Sequence, residues 1–351
     1  MLALMLDFFD MTRRDLLQFV DRPTRAQRVF EAVYRKRVTS IDEAVKLPEA
    51  VRAKLSCAVA IPLPRIQKRF VASDGTRRYL LSLTNGDTVE SVLIPADGRL
   101  TFCISSQIGC ALGCTFCLTG KLGLIRDLTA GEIVSQVVTL AAEASDYFPR
   151  QRYSIVLMGM GEPLQNYEQV MKAIEILHDD SGLAVPASRI TLSTAGLVPG
   201  IDSLAREPIF PNLCISLTGV TNRVRDELMP VNRKYPIESV IEAVRRLPRS
   251  KQDRVMFECV MIAGLTDSAE DARALALLLE NTRAKVNLIP LNEAPEIPYK
   301  RSDDGDVLRF QRILRDAGVT AFIRKNRGND ISGACGQLKK KELSTSLTAS
   351  L

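Results

Sequence analysis

The sequence predicts an α/β protein: a parallel sheet wrapped by helices, preceded by a small helical unit and an antiparallel β segment. Three observations carry this. From about residue 100 onward, strand-like runs alternate with amphipathic helical stretches, the pattern of a parallel sheet with helices outside it. Between about 65 and 105, Asn85-Gly86 and Asp97-Gly98 are hairpin signals set among runs such as Tyr79-Leu80-Leu81 and Val92-Leu93-Ile94. Before that, the apolar spacing is helical. A length of 351 residues suits one large domain with appendages.

The elements follow in order. The start, Met1-Leu-Ala-Leu-Met-Leu-Asp7, has no basic stretch ahead of its apolar run and no small-residue cleavage site, so it does not read as a secretory signal. Thr12 is placed to cap a helix beginning Arg13-Arg14-Asp15, with Leu16, Leu17 and Val20 as apolar positions. A second helix puts Ala26, Val29, Phe30, Val33 and Tyr34 on one face, edged by Arg25, Arg28, Arg35, Lys36 and Arg37. That edge suits nucleic-acid contact, and a solvated helix face gives the same pattern. Arg65, Lys68, Arg69, Arg77 and Arg78 form a second basic stretch. Strands are then expected at Ser154–Met158, Arg189–Ser193, Asn212–Leu217, Val255–Ile262, Val286–Ile289 and Thr320–Arg324. A helix with Val240, Ile241, Val244 and Leu247 on one face is among their separators. The expected division is a helical accessory domain over 1–60, a β-hairpin extension over 61–99, the core over 100–338 and a basic tail over 339–351.

Composition narrows the function. No apolar run approaches the roughly 18 residues a membrane span needs, so no membrane partner is expected. The net charge of +6 is mild, so the placement of charge matters more than its total. Clustered cysteines without a secretory signal argue for a reducing compartment, and the expected location is cytoplasmic.

The chemistry is concentrated in Cys103 to Cys117, read C-I-S-S-Q-I-G-C-A-L-G-C-T-F-C. Cys110, Cys114 and Cys117 form C-x3-C-x2-C. Three thiolates at that spacing hold three irons of a cubane [4Fe-4S] cluster and leave the fourth without a protein ligand. An open iron is a chemical site, and the amine and carboxylate of S-adenosylmethionine (SAM) can chelate it. Zinc prefers four ligands, and the only histidine, His178, is far away in sequence. Strand ends supply further polar groups: Gly161 and Glu162 in Met-Gly-Met-Gly-Glu-Pro, then Ser193, then Ser216-Leu217-Thr218, then Asn292. Glycines let backbone approach a ligand, Glu162 can accept from an ammonium, and small hydroxyls and amides suit a carboxylate and a ribose. Each one alone also reads as a turn or strand cap. Cys57, Cys214 and Cys259 lack such context and are expected in the core, and His178 at the surface or a boundary.

The cysteine loop resembles the radical-SAM motif, with Phe116 as the aromatic residue before the last cysteine. Several longer motifs resemble the RlmN/Cfr group of radical-SAM RNA methyltransferases. They are Cys103 ahead of Ser-Gln-Ile-Gly-Cys110, Met-Gly-Met-Gly-Glu-Pro163, Leu228-Met-Pro-Val-Asn232, and Ile323-Arg-Lys-Asn-Arg-Gly-Asn-Asp-Ile-Ser-Gly-Ala-Cys-Gly-Gln-Leu338. The resemblance runs over nearly the whole chain. It implies a partial (β/α)6 barrel, a [4Fe-4S] cluster on Cys110, Cys114 and Cys117, and SAM held by Gly161, Glu162, Ser193, Ser216, Leu217, Thr218 and Asn292. The family usually has Ser-Leu-His where this chain has Ser216-Leu217-Thr218.

The resemblance also implies a reaction. Adenine C2 lies between two ring nitrogens and is too electron-poor to attack the SAM methyl. In this family one cysteine, Cys335 by position, first takes a methyl from SAM. A 5′-deoxyadenosyl radical from a second SAM removes hydrogen from that methyl, and the methylene radical adds to C2. A base, Glu90 by position, then removes a proton. Cys103 forms a disulfide with Cys335 and releases the RNA. The implied substrates are 23S rRNA (adenosine-2503) and tRNA (adenosine-37), with a flavodoxin-type electron donor. Arg324, Lys325 and Arg327 ahead of Cys335, and Lys339-Lys340-Lys341 after it, are candidate phosphate contacts. Cfr-type attack at C8 is the nearest alternative, with Pro163 favouring the C2 branch. A non-catalytic iron–sulfur RNA-binding protein and a zinc-stabilised RNA-binding module are alternatives of another class.

Overall fold

The computed structural model describes residues 5–42, 47–96, 98–145 and 153–338. Asp97 of the second hairpin signal, the Lys339–Lys341 run and the tail over 339–351 lie outside them.

A helix α1 (Pro23–Phe30) continues through a wider turn over Glu31–Arg35. The face expected there is buried, and Phe8, Phe9, Phe30 and Tyr34 pack ring against ring beneath it. Thr12 does cap, its Oγ1 accepting from the Asp15 N–H at 3.2 Å. The element it caps is only a 3-10 turn, Asp15–Gln18, and Leu17 is exposed. Pro23 explains the early stop, because the residue before a proline is pushed out of the helical region, and Arg22 is extended. Cys57 corrects another expectation: it is exposed on the helix Glu49–Ala58. It lies two residues past the buried Leu55, which is the opposite side of a helix. Cys214 and Cys259 are buried as expected, and His178 is exposed.

Ten strands make one open sheet. An antiparallel meander, β1 (Arg65–Val71), β2 (Arg77–Ser82), β3 (Thr88–Ala96) and β4 (Arg99–Cys103), turns at Gly86, whose φ is +87°. Six parallel strands continue it: β5 (Tyr153–Leu157), β6 (Ile190–Thr194), β7 (Asn212–Ser216), β8 (Val255–Met261), β9 (Lys285–Pro290) and β10 (Ala321–Ile323). Strand β4 pairs antiparallel with β3 and parallel with β5, so the hairpin extension and the core share a single sheet.

Helices α2 (Ala130–Glu143), α3 (Tyr167–His178), α4 (Val198–Leu204), α5 (Ile237–Arg246), α6 (Ala269–Leu278) and α7 (Asp304–Asp316) return the chain from each of β4 to β9. These are the six β-then-α steps of a partial (β/α)6 barrel, with β10 as a final strand. Local chemistry starts the helices: Thr129 with Glu132 makes a capping box on α2, and Ser268 with Asp271 makes one on α6. The N-terminal unit docks on the barrel through Asp10, which accepts from the Gly131 N–H at 3.0 Å, and through Arg13 paired to Asp179 at 3.0 Å. Several arginines of the two basic stretches make contacts within the protein at its surface. Arg25 pairs with Asp21, Arg35 donates to backbone carbonyls at Asp180 and Gly182, and Arg69 pairs with Glu143.

Candidate active site

The loops after the parallel strands open onto a cavity at the C-terminal edge of the sheet, where such folds place their chemistry. Cys110, Cys114 and Cys117 line it together with Phe116, Gly161, Glu162, Ser193, Ser216, Asn292 and Cys335. The thiols are half-buried. Burial pushes Cys110 up to about 12, with the charges of Glu162 and Cys117 adding to it, and raises Cys114 and Cys117 as well. Thiols so placed become thiolates when a cation replaces the proton. Among the described residues no three His, Cys, Asp or Glu side chains converge on one point. A tetrahedral zinc would need thiolates about 3.8 Å apart. Cubane thiolates sit on separate irons and need no such convergence. Three thiols in one cavity wall with no histidine beside them are a donor set that fits a three-thiolate cluster.

Glu162 is built in with care. Gly161 has φ +103°, and a Cβ there would lie 2.6 Å from the Gln107 side chain. The Glu162 N–H donates to Gln107 Oε1 at 2.8 Å, and its carboxylate accepts from the Leu164 N–H at 3.0 Å and the Ala195 N–H at 2.8 Å. Burial outweighs these bonds and raises the carboxyl from 4.5 to about 7.

A second cavity lies behind the first. Ile94, Thr101, Cys103, Asn326 and Arg327 line it, and Met158, Ile289, Asn292, Arg324, Cys335 and Leu338 line both. Cys335 thus stands where the two meet. Its loop is tied down from three sides. The Leu118 N–H donates to Gly336 O at 2.8 Å, the Gly328 N–H to Asp74 Oδ2 at 3.1 Å, and Asn292 Nδ2 to Cys335 O at 3.1 Å. The other amide atom of Asn292, Oδ1, is buried without a partner, and the residue lines both cavities.

Not every expected residue reaches a cavity. Ser216 does, but Leu217 and Thr218 are buried behind it. Strand alternation turns Leu217 away, and its carbonyl accepts from Arg225 Nε at 3.1 Å. Thr218 adopts φ +60°, and its Oγ1 has no partner. Glu90 lines neither cavity. It is buried against Arg78, on the same face of β3 as Val92, which pairs with Cys103. Arg324, expected among phosphate contacts, lines both cavities, and its Nη1 lies 3.4 Å from Glu258. Sequence reasoning missed Gln107, Glu258 and Arg225. Gln107 stands inside the cysteine stretch but was read only as part of its motif, while Glu258 and Arg225 belong to no run with a chemical reading, since each acts through the fold.

The Radical SAM superfamily profile matches residues 104–276. A protein of Nitratiruptor named Dual-specificity RNA methyltransferase RlmN is 43% identical over 350 residues, covering 96% of this chain and 98% of its own. A Moorella thermoacetica protein, named Probable dual-specificity RNA methyltransferase RlmN, is 47% identical and covers 91% and 92%. The crystal structure of a radical SAM methyltransferase from Sphaerobacter thermophilus superposes with a TM-score of 0.89 at 42% identity, covering 95% of this chain and 98% of its own. Among the described residues no helix is long and apolar enough to cross a membrane. On these grounds the chain belongs to the RlmN family of the radical SAM superfamily.

Proposed function

We propose that this protein is a cytoplasmic RNA methyltransferase that puts a methyl group on C2 of adenosine-2503 in 23S rRNA and adenosine-37 in tRNA. The observation that carries the reading is the position of Cys335, which lines both the cavity of the three cluster thiols and the cavity of Cys103. A group carried on Cys335 Sγ can be worked on from one side and delivered to the other.

A [4Fe-4S] cluster with SAM supplies one-electron cleavage of SAM and hence a carbon-centred radical, fed by a flavodoxin-type donor. The chain's own residues do the rest. Cys110, Cys114 and Cys117 hold the cluster. Glu162, Ser193, Ser216 and the free Asn292 Oδ1 orient the amino acid and ribose ends of SAM. Cys335 Sγ accepts the methyl and presents it. The second cavity, about 350 Å³, falls in the usual range of about 300–1,000 Å³ for small-molecule sites and would take the unstacked adenosine. The exposed Lys325 and the half-buried Arg327 at its mouth would hold backbone phosphate. Glu90, paired with Arg78 off both cavity walls, is the residue the family resemblance assigns to proton removal. In that role it must turn into the second cavity to reach the adduct carbon. Cys103 Sγ then bonds to Cys335 Sγ as the Cys335 sulfur–carbon bond breaks, releasing the product.

The test is anaerobic reaction of reconstituted protein with reductant, methyl-labelled SAM and an rRNA fragment or tRNA, followed by nucleoside mass spectrometry. The expected product is 2-methyladenosine. An 8-methyladenosine product keeps the mechanism and overturns the site of attack. Absence of both from cluster-loaded protein overturns the reading.

A further inference from the structure

We propose that Arg225 is the buried counter-charge of the cluster cavity, a positioning residue that fixes two strand ends and offsets the negative charge the cavity takes up. The inference rests on the cluster reading of Cys110, Cys114 and Cys117, and not on the identity of the RNA or the carbon attacked.

Arg225 sits on the short helix Asn222–Leu228 and is fully buried. Its guanidinium donates to Ala195 O at 2.5 Å, Leu217 O at 3.1 Å, Asn232 Oδ1 at 2.7 Å, Tyr235 O at 3.2 Å and Ser216 O at 3.4 Å. All five partners are neutral. Among the described residues no carboxylate oxygen lies within the 4.0 Å of an ion pair. Hydrogen bonds to neutral carbonyls do not return the full cost of taking a charge out of water. A buried cation of this kind calls for an anion nearby.

Its helix lies against the cysteine loop. Burial is the main influence on its charge, lowering its pKa to about 10, and Cys114 and then the neighbouring Asp226 offset part of that. The same helix is stitched to that loop, since the Thr115 N–H donates to Leu228 O at 3.0 Å. Ala195, Ser216 and Met229 line the cavity, so Arg225 stands directly behind its wall. Space is reserved for it. A Cβ on Gly196 would come within 3.2 Å of Arg225 Nη2, and one on Gly219 within 3.0 Å of its backbone nitrogen. Three thiolates bring three negative charges, one more than a doubly positive cluster core cancels. Reduction by one electron adds another. A fixed cation behind the wall stabilises both changes, and does so strongly because water is excluded.

Two charge changes test this without RNA. Arg225→Gln keeps donors and removes the charge. Asn232→Asp combined with Asp226→Asn keeps Arg225, sets a carboxylate against its Nη1 and retains an amide donor where Asn232 now bonds Asp226. Both proteins are reconstituted, assayed for iron and titrated electrochemically with detection by electron paramagnetic resonance. In both, the reduction equilibrium is expected to fall about tenfold, a midpoint about 59 mV more negative for a one-electron couple. Arg225→Lys, which keeps the charge and loses the planar fork, is expected to hold the wild-type midpoint while its SAM affinity drops. If Arg225→Gln does not fold, the double variant alone decides. A wild-type midpoint in either neutralised protein overturns the inference, leaving Arg225 as a packing residue. Because the readout is a potential, its failure is separate from a failure to methylate RNA.

Discussion

The cysteine loop and the Cys103–Cys335 pair bring sulfur to two adjoining cavities, by opposite means. Cys110, Cys114 and Cys117 lie within one loop, so local chain geometry sets their spacing. Cys103 ends β4, and Cys335 comes from the far end of the sequence. They meet because β4 sits in the sheet and the terminal loop is pinned by Leu118, Asn292 and Asp74. The loop builds a site. The pair works across it. Substitutions in the two should therefore fail differently.

The largest effect is expected from single alanine changes in each. Both Cys117→Ala and Cys335→Ala should lower methyl transfer to RNA by at least about 10³-fold. Only Cys117→Ala should also lose iron and the brown colour of the cluster. Iron assay and transfer of labelled methyl decide it. Loss of iron on Cys335→Ala would mean that Cys335 belongs to the loop's site and would erase the contrast.

Cys103→Ala separates the members of the pair. Methyl loading of Cys335 should survive, but the protein should stall as a covalent RNA adduct after one turnover, since no thiol is left to displace it. Denaturing gels with labelled RNA would show the adduct. Normal multiple turnover would remove Cys103 from the chemistry. This thiol is well suited to waiting: burial pushes it up to about 12, with Cys335 a secondary cause.

The same division decides what was legible in the sequence. The cysteine spacing, the strand periods and the glycine before Glu162 are local, and they were readable. The sixfold β-then-α pattern follows from the same alternation. What escaped depends on three-dimensional neighbours. Cys57 has the composition of a core residue, but its place two residues past Leu55 turns it outward. Arg324 sits in a basic run, yet it lines both cavities beside Glu258. Arg225 lies between Leu228-Met-Pro-Val-Asn232 and a helix cap, and no pattern marks an arginine whose partners are carbonyls from three other segments.

A pH dependence on the loop side sharpens the contrast further. Folding raises the Glu162 carboxyl from 4.5 to about 7. The protonated form is thus favoured in the folded state. The stability this gives is present below 4.5 and is lost as pH rises through about 7. Pairing with the SAM ammonium needs the ionised form, so SAM affinity should behave in the opposite sense. It should be full above about 7 and fall by up to about tenfold per unit below it. Anaerobic binding titrations should show this slope in wild type and a flat, weaker profile in Glu162→Gln. A slope that persists in Glu162→Gln would assign the titration elsewhere.

The smallest expected effect concerns Thr218, which lies at a strand end on the loop side yet reaches neither cavity. Its hydroxyl is buried without a partner, and a buried orphan hydroxyl costs about 1–3 kcal/mol. Valine has the same shape and the same branching at φ +60°, so Thr218→Val changes the hydroxyl and little else. The folded protein should gain about 1 kcal/mol, seen as a higher melting temperature, with SAM affinity unchanged. If SAM affinity falls instead, the hydroxyl is a ligand contact held open for its partner. The wall of the loop-built cavity would then extend two residues past Ser216.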